Sequence, residues 1–305
     1  MDSIHINPEN YQVEYIRYLN QCFNNWGNEK EYDWAFNRTV GGITSDIVII
    51  KDENNEVIAG SGITYRKLKN QDDSIIDIAI MTGSWTTPKA RGRGCFSKII
   101  DVSKEISRKK NVPYLTAFVM ETNSSFRRLK NAGSLLYASY NLFSPNVLYP
   151  NVNNVSISLI NNEEQVITDV YNRYLKTQNK FTSFSYTTDE FFHQYLYRIK
   201  NTKIVKISND YAIIEETENL NKVLLITYDN LSDFKNNIIS LSNWGLQNNS
   251  KKLFLFSTNK EVAEICNILD FENLQGYFTV LSNSKNSVHN KDIFTQISIN
   301  MGDKM

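Results

Sequence analysis

Cysteine and histidine are both scarce in this chain, and each shortage excludes a class of protein. There are three cysteines and three histidines among 305 residues. Cys22, Cys95 and Cys266 lie far apart and form no Cys-x-x-Cys pair, and no histidine stands at a metal-ligand spacing from them. The sequence therefore excludes a disulfide framework and a cysteine–histidine zinc site, and we expect no metal cofactor.

Long apolar runs and an excess of either charge are also missing. No apolar stretch approaches the roughly 20 residues that a membrane-spanning helix needs. The first residues, MDSIHINPEN, lack the basic and apolar regions of a signal peptide. Basic and acidic residues number 33 each, so the formal net charge is zero, whereas a general nucleic-acid binder carries a basic excess. These absences predict a cytoplasmic protein with no membrane span and no nucleic-acid partner.

Length and composition along the chain indicate two domains. A chain of 305 residues exceeds one ordinary compact core and fits two domains of about 150 residues each. The polar, proline-containing stretch 149–154 is the best linker in the sequence. We therefore predict domains at 1–148 and 149–305.

Hydrophobic periodicity predicts a similar succession of elements in both halves. The first half begins with a helix at 11–23 and a strand pair joined by the polar turn 52–55. Strand, helix, strand, helix and strand then follow. The second half repeats the strands, from Lys203 onward, and the same tail. This order predicts an α/β fold in which each of two tandem domains has a mixed sheet flanked by helices.

One segment, residues 85–97, has the features of an anion-binding loop. Its sequence, WTTPKARGRGCFS, follows an apolar strand and leads directly into a helix. Gly92 and Gly94 let the backbone turn tightly and approach a ligand closely. The first amides of a helix lack internal partners and can bind an anion together with the helix dipole. Arg91, Arg93 and Lys98 add positive charge, so a diphosphate fits this pattern.

Two well-known phosphate loops do not match this segment. The GxxxxGK[ST] spacing of a Walker loop is absent, and Ser97 stands where a dinucleotide GxGxxG motif has its third glycine. Two other interpretations stay open: a basic surface turn before a helix, and a phosphate-binding turn for a different nucleotide.

The segment resembles the acetyl-CoA signature of the GNAT superfamily of N-acetyltransferases, whose core pattern is [QR]-x-x-G-x-[GA]. Arg91, Gly94 and Phe96 occupy the three defined positions. Phe96 replaces the usual glycine or alanine. Larger residues there resemble the tandem acetyltransferases of the enhanced-intracellular-survival type, and we expect this chain to lack their C-terminal carrier-like domain.

The resemblance implies acetyl-CoA as the cosubstrate and no metal. The backbone of the strand before the loop would contact the pantetheine arm, through Ser84, Trp85 and Thr86. The loop and helix start would hold the pyrophosphate, through Arg91, Gly92, Arg93, Gly94, Cys95, Phe96 and Ser97. The second half lacks such a loop, which implies a degenerate copy that no longer binds cofactor.

A second stretch, NSSFRRLKNAG at 123–133, also resembles the superfamily. It is similar to the pattern N-x-x-S-x-R-x-L-x-x-A-G, shortened by one residue. The resemblance implies that the Asn123 side chain contacts the cofactor. A helix N-cap is the alternative role for Asn123, and one residue can fill both.

Acyl transfer to an amine needs a proton acceptor and a group that protonates the leaving thiolate. The superfamily often places a glutamate on the strand before the loop, but its two usual positions hold an isoleucine and a threonine here. The nearest acids are Asp77 on the same strand and Glu121 after the next one, and a solvated strand face is the alternative for Asp77. The superfamily's frequent tyrosine acid falls on a leucine, which leaves Tyr137 or Tyr140 as candidates.

Aromatic residues after the first helix are the candidates for acceptor binding. Trp26 and Trp34 lie in the segment that often lines the acceptor site in the superfamily, and core packing is the alternative. The resemblance thus implies an acetyl-CoA-dependent N-acyltransferase that transfers directly, in a ternary complex, to a primary amine of a small molecule or peptide. The alternative is an inactive CoA-binding regulatory or interaction module. Superfamily members often dimerise, so a homodimer stays open.

Overall fold

Apolar strands and amphipathic helices alternate along the computed structural model, which describes residues 2–38, 40, 42–150, 155–161, 163–283 and 291–304. Residues 151–154 of the predicted linker lie outside that description. The helices are α1 (Gln12–Phe23), α2 (Glu29–Tyr32), α3 (Cys95–Lys109), α4 (Ser124–Asn131), α5 (Glu164–Gln178), α6 (Thr188–Tyr195), α7 (Leu231–Asn249) and α8 (Lys260–Ile268). The strands are β1 (Ser3–Ile6), β2 (Asp46–Lys51), β3 (Val57–Lys69), β4 (Ile75–Thr86), β5 (Tyr114–Met120), β6 (Leu135–Phe143), β7 (Ile157–Ile160), β8 (Ser183–Ser185), β9 (Thr202–Ile207), β10 (Asp210–Glu216), β11 (Leu220–Ile226), β12 (Lys252–Ser257) and β13 (Glu272–Ser282).

These elements pack into two compact units. Unit 1 contains the described residues of Met1–Leu68, Ile75–Leu136 and Tyr277–Asn290, and unit 2 those of Lys69–Ser74, Tyr137–Gly276 and Lys291–Met305. Each unit thus includes a stretch of strand from the other half of the chain. The sequence analysis placed the domain boundary between residues 148 and 149, whereas each unit combines stretches from both sides of it. That boundary stays a prediction.

The sheet of unit 1 contains an antiparallel part and one short parallel pair. Its strands lie in the order β1-β2-β3-β4-β5, followed by residues 277–282 of β13. β1, β2 and β3 are antiparallel neighbours, whereas β4 and β5 are parallel and pair only at residues 78–80 and 114–116. β4 nevertheless continues to Thr86 and β5 to Met120. The two strands therefore separate at their carboxyl ends and leave a gap.

Helices cover both faces of this sheet. On one face, Ile99, Ile100 and Leu129 of α3 and α4 are buried in a cluster with apolar strand residues such as Ala79 and Leu115. On the other face, α1 approaches the sheet at Gly60, where a Cβ would lie 3.0 Å from the Tyr15 ring. Because side chains alternate along a strand, one sheet supports both helix layers.

Unit 2 repeats this plan. Its sheet follows the order β6 (residues 137–143), β12, β11, β10, β9, β7. β11 and β12 form the parallel pair, and β9 and β10 are antiparallel. The prediction of a tandem α/β fold with mixed sheets is confirmed. Between 155 and 200 the sequence analysis assigned no element, and the structure places β7, α5, β8 and α6 there.

C-terminal residues fill the space beyond the parallel pair of unit 2. Ser257, at the end of β12, pairs with Tyr140 of β6 on one edge and with Asn300 on the other. A strand has only two edges, so Asn300 stands on the edge that faces β11. The 3₁₀ turn Met301–Asp303 then lies against β11, β12 and α6. The gap that stays open in unit 1 is thus occupied by the chain itself in unit 2.

This C-terminal turn is fixed by buried polar groups. The Asp303 carboxylate accepts hydrogen bonds from the Tyr186 hydroxyl at 2.9 Å and the Tyr195 hydroxyl at 2.7 Å. Gln194 donates its side-chain amide to the Gly302 carbonyl at 2.6 Å. Burial and the nearby carboxylate hold the pKa of Tyr195 well above its ordinary value. The Tyr195 hydroxyl therefore stays protonated and serves as a hydrogen-bond donor.

Among the helices of the described ranges, none combines the length and the apolar character that crossing a membrane requires.

Candidate functional site

The glycine-rich loop turns into α3 in the way its composition predicts. Pro88–Ala90 forms a 3₁₀ turn, and Gly92 and Gly94 follow with φ angles of +85° and +80°. This left-handed region is strained for any residue with a Cβ. A Cβ at either position would meet no atom within 4 Å. The backbone conformation, and not crowding, therefore requires glycine at both positions.

Backbone amides at the start of α3 are available to an anion. Gly94 is the N-cap residue and has no side chain with which to cap the helix. In the described part of the chain, the N–H groups of Gly92, Gly94, Cys95, Phe96 and Ser97 make no hydrogen bond to a backbone carbonyl. The next amide, that of Lys98, bonds to the Gly94 carbonyl at 3.2 Å. A helix start with so many free donors suits a phosphate group.

The loop forms one wall of a cleft of about 520 Å³ in unit 1. The other walls come from the carboxyl end of β4, the start of α4 and the last turn of α1. The cleft therefore opens at the carboxyl end of β4, beside the start of the helix that follows β5. It brings together most of the predicted cofactor residues: Ser84, Trp85, Thr86, Arg91, Gly92, Gly94, Cys95, Phe96 and Asn123.

Two predicted cofactor residues, Arg93 and Ser97, do not line the cleft. The Arg93 guanidinium lies 2.9 Å from one carboxylate oxygen of Asp2, and the Lys98 ammonium lies 2.7 Å from the other. The hydrogen bond from Lys98 lowers the pKa of Asp2. Asp2 thus offsets two positive charges of the loop and holds Arg93 outside the cleft. Ser97 contributes its unpaired amide at the helix start.

The end of β4 presents backbone to the cleft. Trp85 is only 4% exposed, and its ring stacks on Tyr18 with centroids 4.8 Å apart. Its side chain is therefore committed to the α1 layer. Gly83 has a φ of +56°, the signature of a bulge that bends the strand and re-aims the residues after it. The Ser84 hydroxyl lies 2.7 Å from that of Ser61.

Sequence analysis missed several lining residues. Cys22 and Phe23 come from the end of α1, and Ser124, Ser125, Arg127 and Arg128 come from α4. The α4 residues had a signal, because Ser124, Arg127 and Arg128 are spaced i, i+3, i+4 and share one helix face. The contribution of α1 depends on its tertiary position and has no local signal.

The predicted catalytic residues do not meet in the cleft. Asp77 precedes the paired part of β4, seven residues before Ser84, which corresponds to about 23 Å along a strand. Glu121 is exposed just after β5. Tyr137 belongs to unit 2, where its ring packs on Phe294 with centroids 5.7 Å apart. Their catalytic roles stay predictions.

The predicted acceptor residues also lie outside the cleft lining. Trp26 is half-buried and stacks on Phe36 with centroids 6.0 Å apart. Trp34 packs under the Arg38 guanidinium, 3.7 Å from the ring centroid. Both tryptophans therefore have packing partners of the kind that the core-packing alternative expects.

Both cysteines of the cleft are neutral thiols. Burial raises the pKa of Cys22 and of Cys95 above the ordinary value for a thiol. The Cys95 thiol lies 3.9 Å from the Ala90 carbonyl. A thiol attacks as its thiolate, so neither side chain is prepared to act as a nucleophile. No group of three or more His, Cys, Asp or Glu side chains in the described ranges could hold a metal ion.

The corresponding helix start in unit 2 is closed to anions. Asn230 caps α7, and its side-chain oxygen accepts from the amides of Ser232 at 2.9 Å and Asp233 at 3.1 Å. The preceding residue, Asp229, forms ion pairs with Arg173 and Lys176. A side-chain cap and a carboxylate thus occupy the position where unit 1 has free amides. This is a physical reason for a second copy without cofactor.

Asn123 and Asn230 offer a matched test of cofactor contact against helix capping. Asn123 is the N-cap residue of α4 but makes no side-chain capping bond. We expect Asn123→Ala to change the free energy of unfolding by less than about 0.5 kcal/mol and to weaken CoA binding about tenfold. Asn230→Ala should destabilise the protein by about 1 kcal/mol and leave CoA binding unchanged. Thermal melts and calorimetric titrations measure both quantities, and a reversed pattern would contradict the assignment.

No family model matches the chain, and no curated protein is similar to it in sequence. Solved structures do match. A probable N-acyltransferase from Enterococcus faecalis V583 has a TM-score of 0.67 at 12% identity and covers 93% of this chain and 73% of its own. A tandem GNAT protein from the clavulanic acid biosynthesis pathway has a TM-score of 0.63 at 10% identity and covers 93% and 100%. Eis1 from Mycobacterium abscessus has a TM-score of 0.50 at 11% identity and covers 83% and 65%. The chain therefore has the tandem fold of the GCN5-related N-acetyltransferases.

Proposed function

We propose that this chain is an acetyl-CoA-dependent N-acyltransferase that acts on a primary amine of a small molecule or peptide. The observation that carries the proposal is the cleft itself. Free amides at the start of α3 and the carboxyl end of β4 line one cleft, on a fold whose solved representatives include a probable N-acyltransferase.

The residues of the cleft fit coenzyme A. The amides of Gly92 and of Gly94 to Ser97, with the guanidinium of Arg91, suit a diphosphate. The backbone of Ser84–Thr86 borders the gap and can bond the amide groups of a pantetheine arm, and Asn123 stands opposite. Bound acetyl-CoA would supply an activated acyl group as a thioester. The protein's part is to hold the donor and to orient the amine toward it.

The residues that line the cleft support direct transfer to the amine. The described lining residues include neither a carboxylate nor an imidazole, and the two cysteines are neutral thiols. An acyl-cysteine step therefore lacks a thiolate. In the proposed ternary complex the amine nitrogen would attack the thioester carbonyl, the carbon–sulfur bond would break, and the proton lost by the amine would balance the departing CoA thiolate.

Two cysteine variants test the direct route. We expect Cys22→Ser and Cys95→Ala to retain turnover within about threefold, because neither thiol is ionised. Mass spectrometry of the protein after incubation with acetyl-CoA alone should show no acetylated cysteine. A stable adduct on Cys22, with loss of turnover in Cys22→Ser, would establish a covalent route instead.

The test of the function is turnover with a panel of amines. Purified protein is mixed with acetyl-CoA and each amine, free thiol is followed with a colour reagent, and products are identified by mass. Arg91→Ala serves as the variant with a weakened donor site. Thiol release that requires an amine supports the proposal. Saturable CoA binding without turnover for any amine favours the regulatory module, and absence of CoA binding favours a turn for another nucleotide.

A further inference from the structure

Three arginines line the cleft, and the diphosphate of a bound CoA would balance only part of their positive charge. Arg91 lies on the glycine loop, whereas Arg127 and Arg128 lie on α4. None of the three makes an ion pair with a carboxylate in the described part of the chain. Arg93 differs from these three arginines, because its charge is paired with the Asp2 carboxylate outside the cleft. Arginine side chains without a carboxylate partner on the wall of a cleft can bind an anionic ligand.

The arginine pair is held in place by the packing of its helix. Leu129 of α4 is 1% exposed, and Phe126 stacks on Tyr277 with centroids 4.7 Å apart. Phe126 and Leu129 lie on one side of α4, which their packing holds in place. Arg127 and Arg128 lie on the opposite side of the helix, which faces the cleft. Ser124 lies on the same side and adds a hydroxyl. The helix that carries the pair is therefore held in place as one wall of the cleft.

Resting on the proposed function, we propose that Arg127 and Arg128 bind the 3′-phosphate of coenzyme A. That phosphate is a monoester that carries up to two negative charges near neutral pH, and guanidinium groups bind such oxygens in a bidentate manner. The phosphopantetheine arm of an acyl carrier protein has no 3′-phosphate. The donor of this enzyme is accordingly a free acyl-CoA and not an acyl group on a carrier protein.

Calorimetric titration with CoA and with dephospho-CoA, which lacks only the 3′-phosphate, tests this assignment. We expect the intact protein to bind dephospho-CoA about 30-fold more weakly than CoA. In the variant Arg127→Ala, Arg128→Ala, CoA should bind as weakly as dephospho-CoA, whose own affinity should change less than about threefold. Lys130→Ala, on the same helix but outside the cleft lining, is the control and should resemble the intact protein.

The outcomes separate this inference from the proposed function. Equal, saturable binding of CoA and dephospho-CoA by the intact protein would overturn the assignment and leave the acyltransferase proposal standing. Equal weakening of both ligands in the double variant would also overturn it and assign the arginines to the diphosphate. Failure of the intact protein to bind CoA at all would remove both proposals.

Discussion

Gly94→Glu should raise the dissociation constant for CoA at least about 100-fold, because it removes two properties of the loop at once. Gly94 has a φ of +80°, so a residue with a Cβ shifts the backbone and misdirects the amides of the helix start. The new carboxylate also stands beside those amides and competes with the phosphates for them. Calorimetric titration with CoA measures the effect.

Gly133→Glu is the matched control. Gly133 follows α4 with a φ of +87°, and a Cβ there also meets no atom within 4 Å. Both variants therefore introduce the same side chain into the same strained conformation, and each should lose about 1 kcal/mol of stability. Only the Gly94 variant should lose affinity for CoA. Comparable weakening by both would mean that backbone strain, and not the position of Gly94, controls binding.

Gly302→Ala should lower the free energy of unfolding by about 2–3 kcal/mol through overpacking. A Cβ at Gly302 would lie 2.1 Å from one carbon of the Tyr195 ring, a distance that no folded protein tolerates without movement. Tyr195 is fully buried, and its hydroxyl is bonded to Asp303. Neither the ring nor the turn can move without breaking that bond. Denaturant unfolding followed by fluorescence measures the loss.

Gly133→Ala again provides the comparison, because its cost comes from backbone conformation alone. It should destabilise the protein by about 1 kcal/mol, which is less than Gly302→Ala. The opposite ranking would show that the C-terminal turn does not pack against Tyr195 as described. An unchanged midpoint for Gly302→Ala would show the same.

The parts of the molecule that sequence predicts well are those that depend on local interactions. The loop was identified because Gly92 and Gly94 hold left-handed positions, which few other residues adopt. β2 and β3 flank the predicted polar turn 52–55, since each is an apolar run next to that turn. The mixed sheet and its tandem repetition followed from the order of these elements.

The features that could not be predicted from the sequence depend on which distant residues come into contact in the folded chain. Cys22 and Phe23 reach the cleft because α1 ends there, and no local pattern reports that. Asp77 was chosen for its place on β4, but the cleft lies at the other end of that strand. The helix α5 did carry a signal, since Ile167, Val170 and Tyr174 follow a helical spacing and are buried.

During synthesis, β5 is made long before β13, the strand with which it pairs. The Thr279 hydroxyl donates to the Ala117 carbonyl, and the Asn283 amide to the Pro113 carbonyl. Thr279 and Ala117 are 162 residues apart in the sequence, so the ribosome makes them at different times. Until residues 277–282 emerge, β5 has an open edge, which is a template for wrong pairing. The nascent first half is therefore the state of this protein that is most exposed to wrong strand pairing.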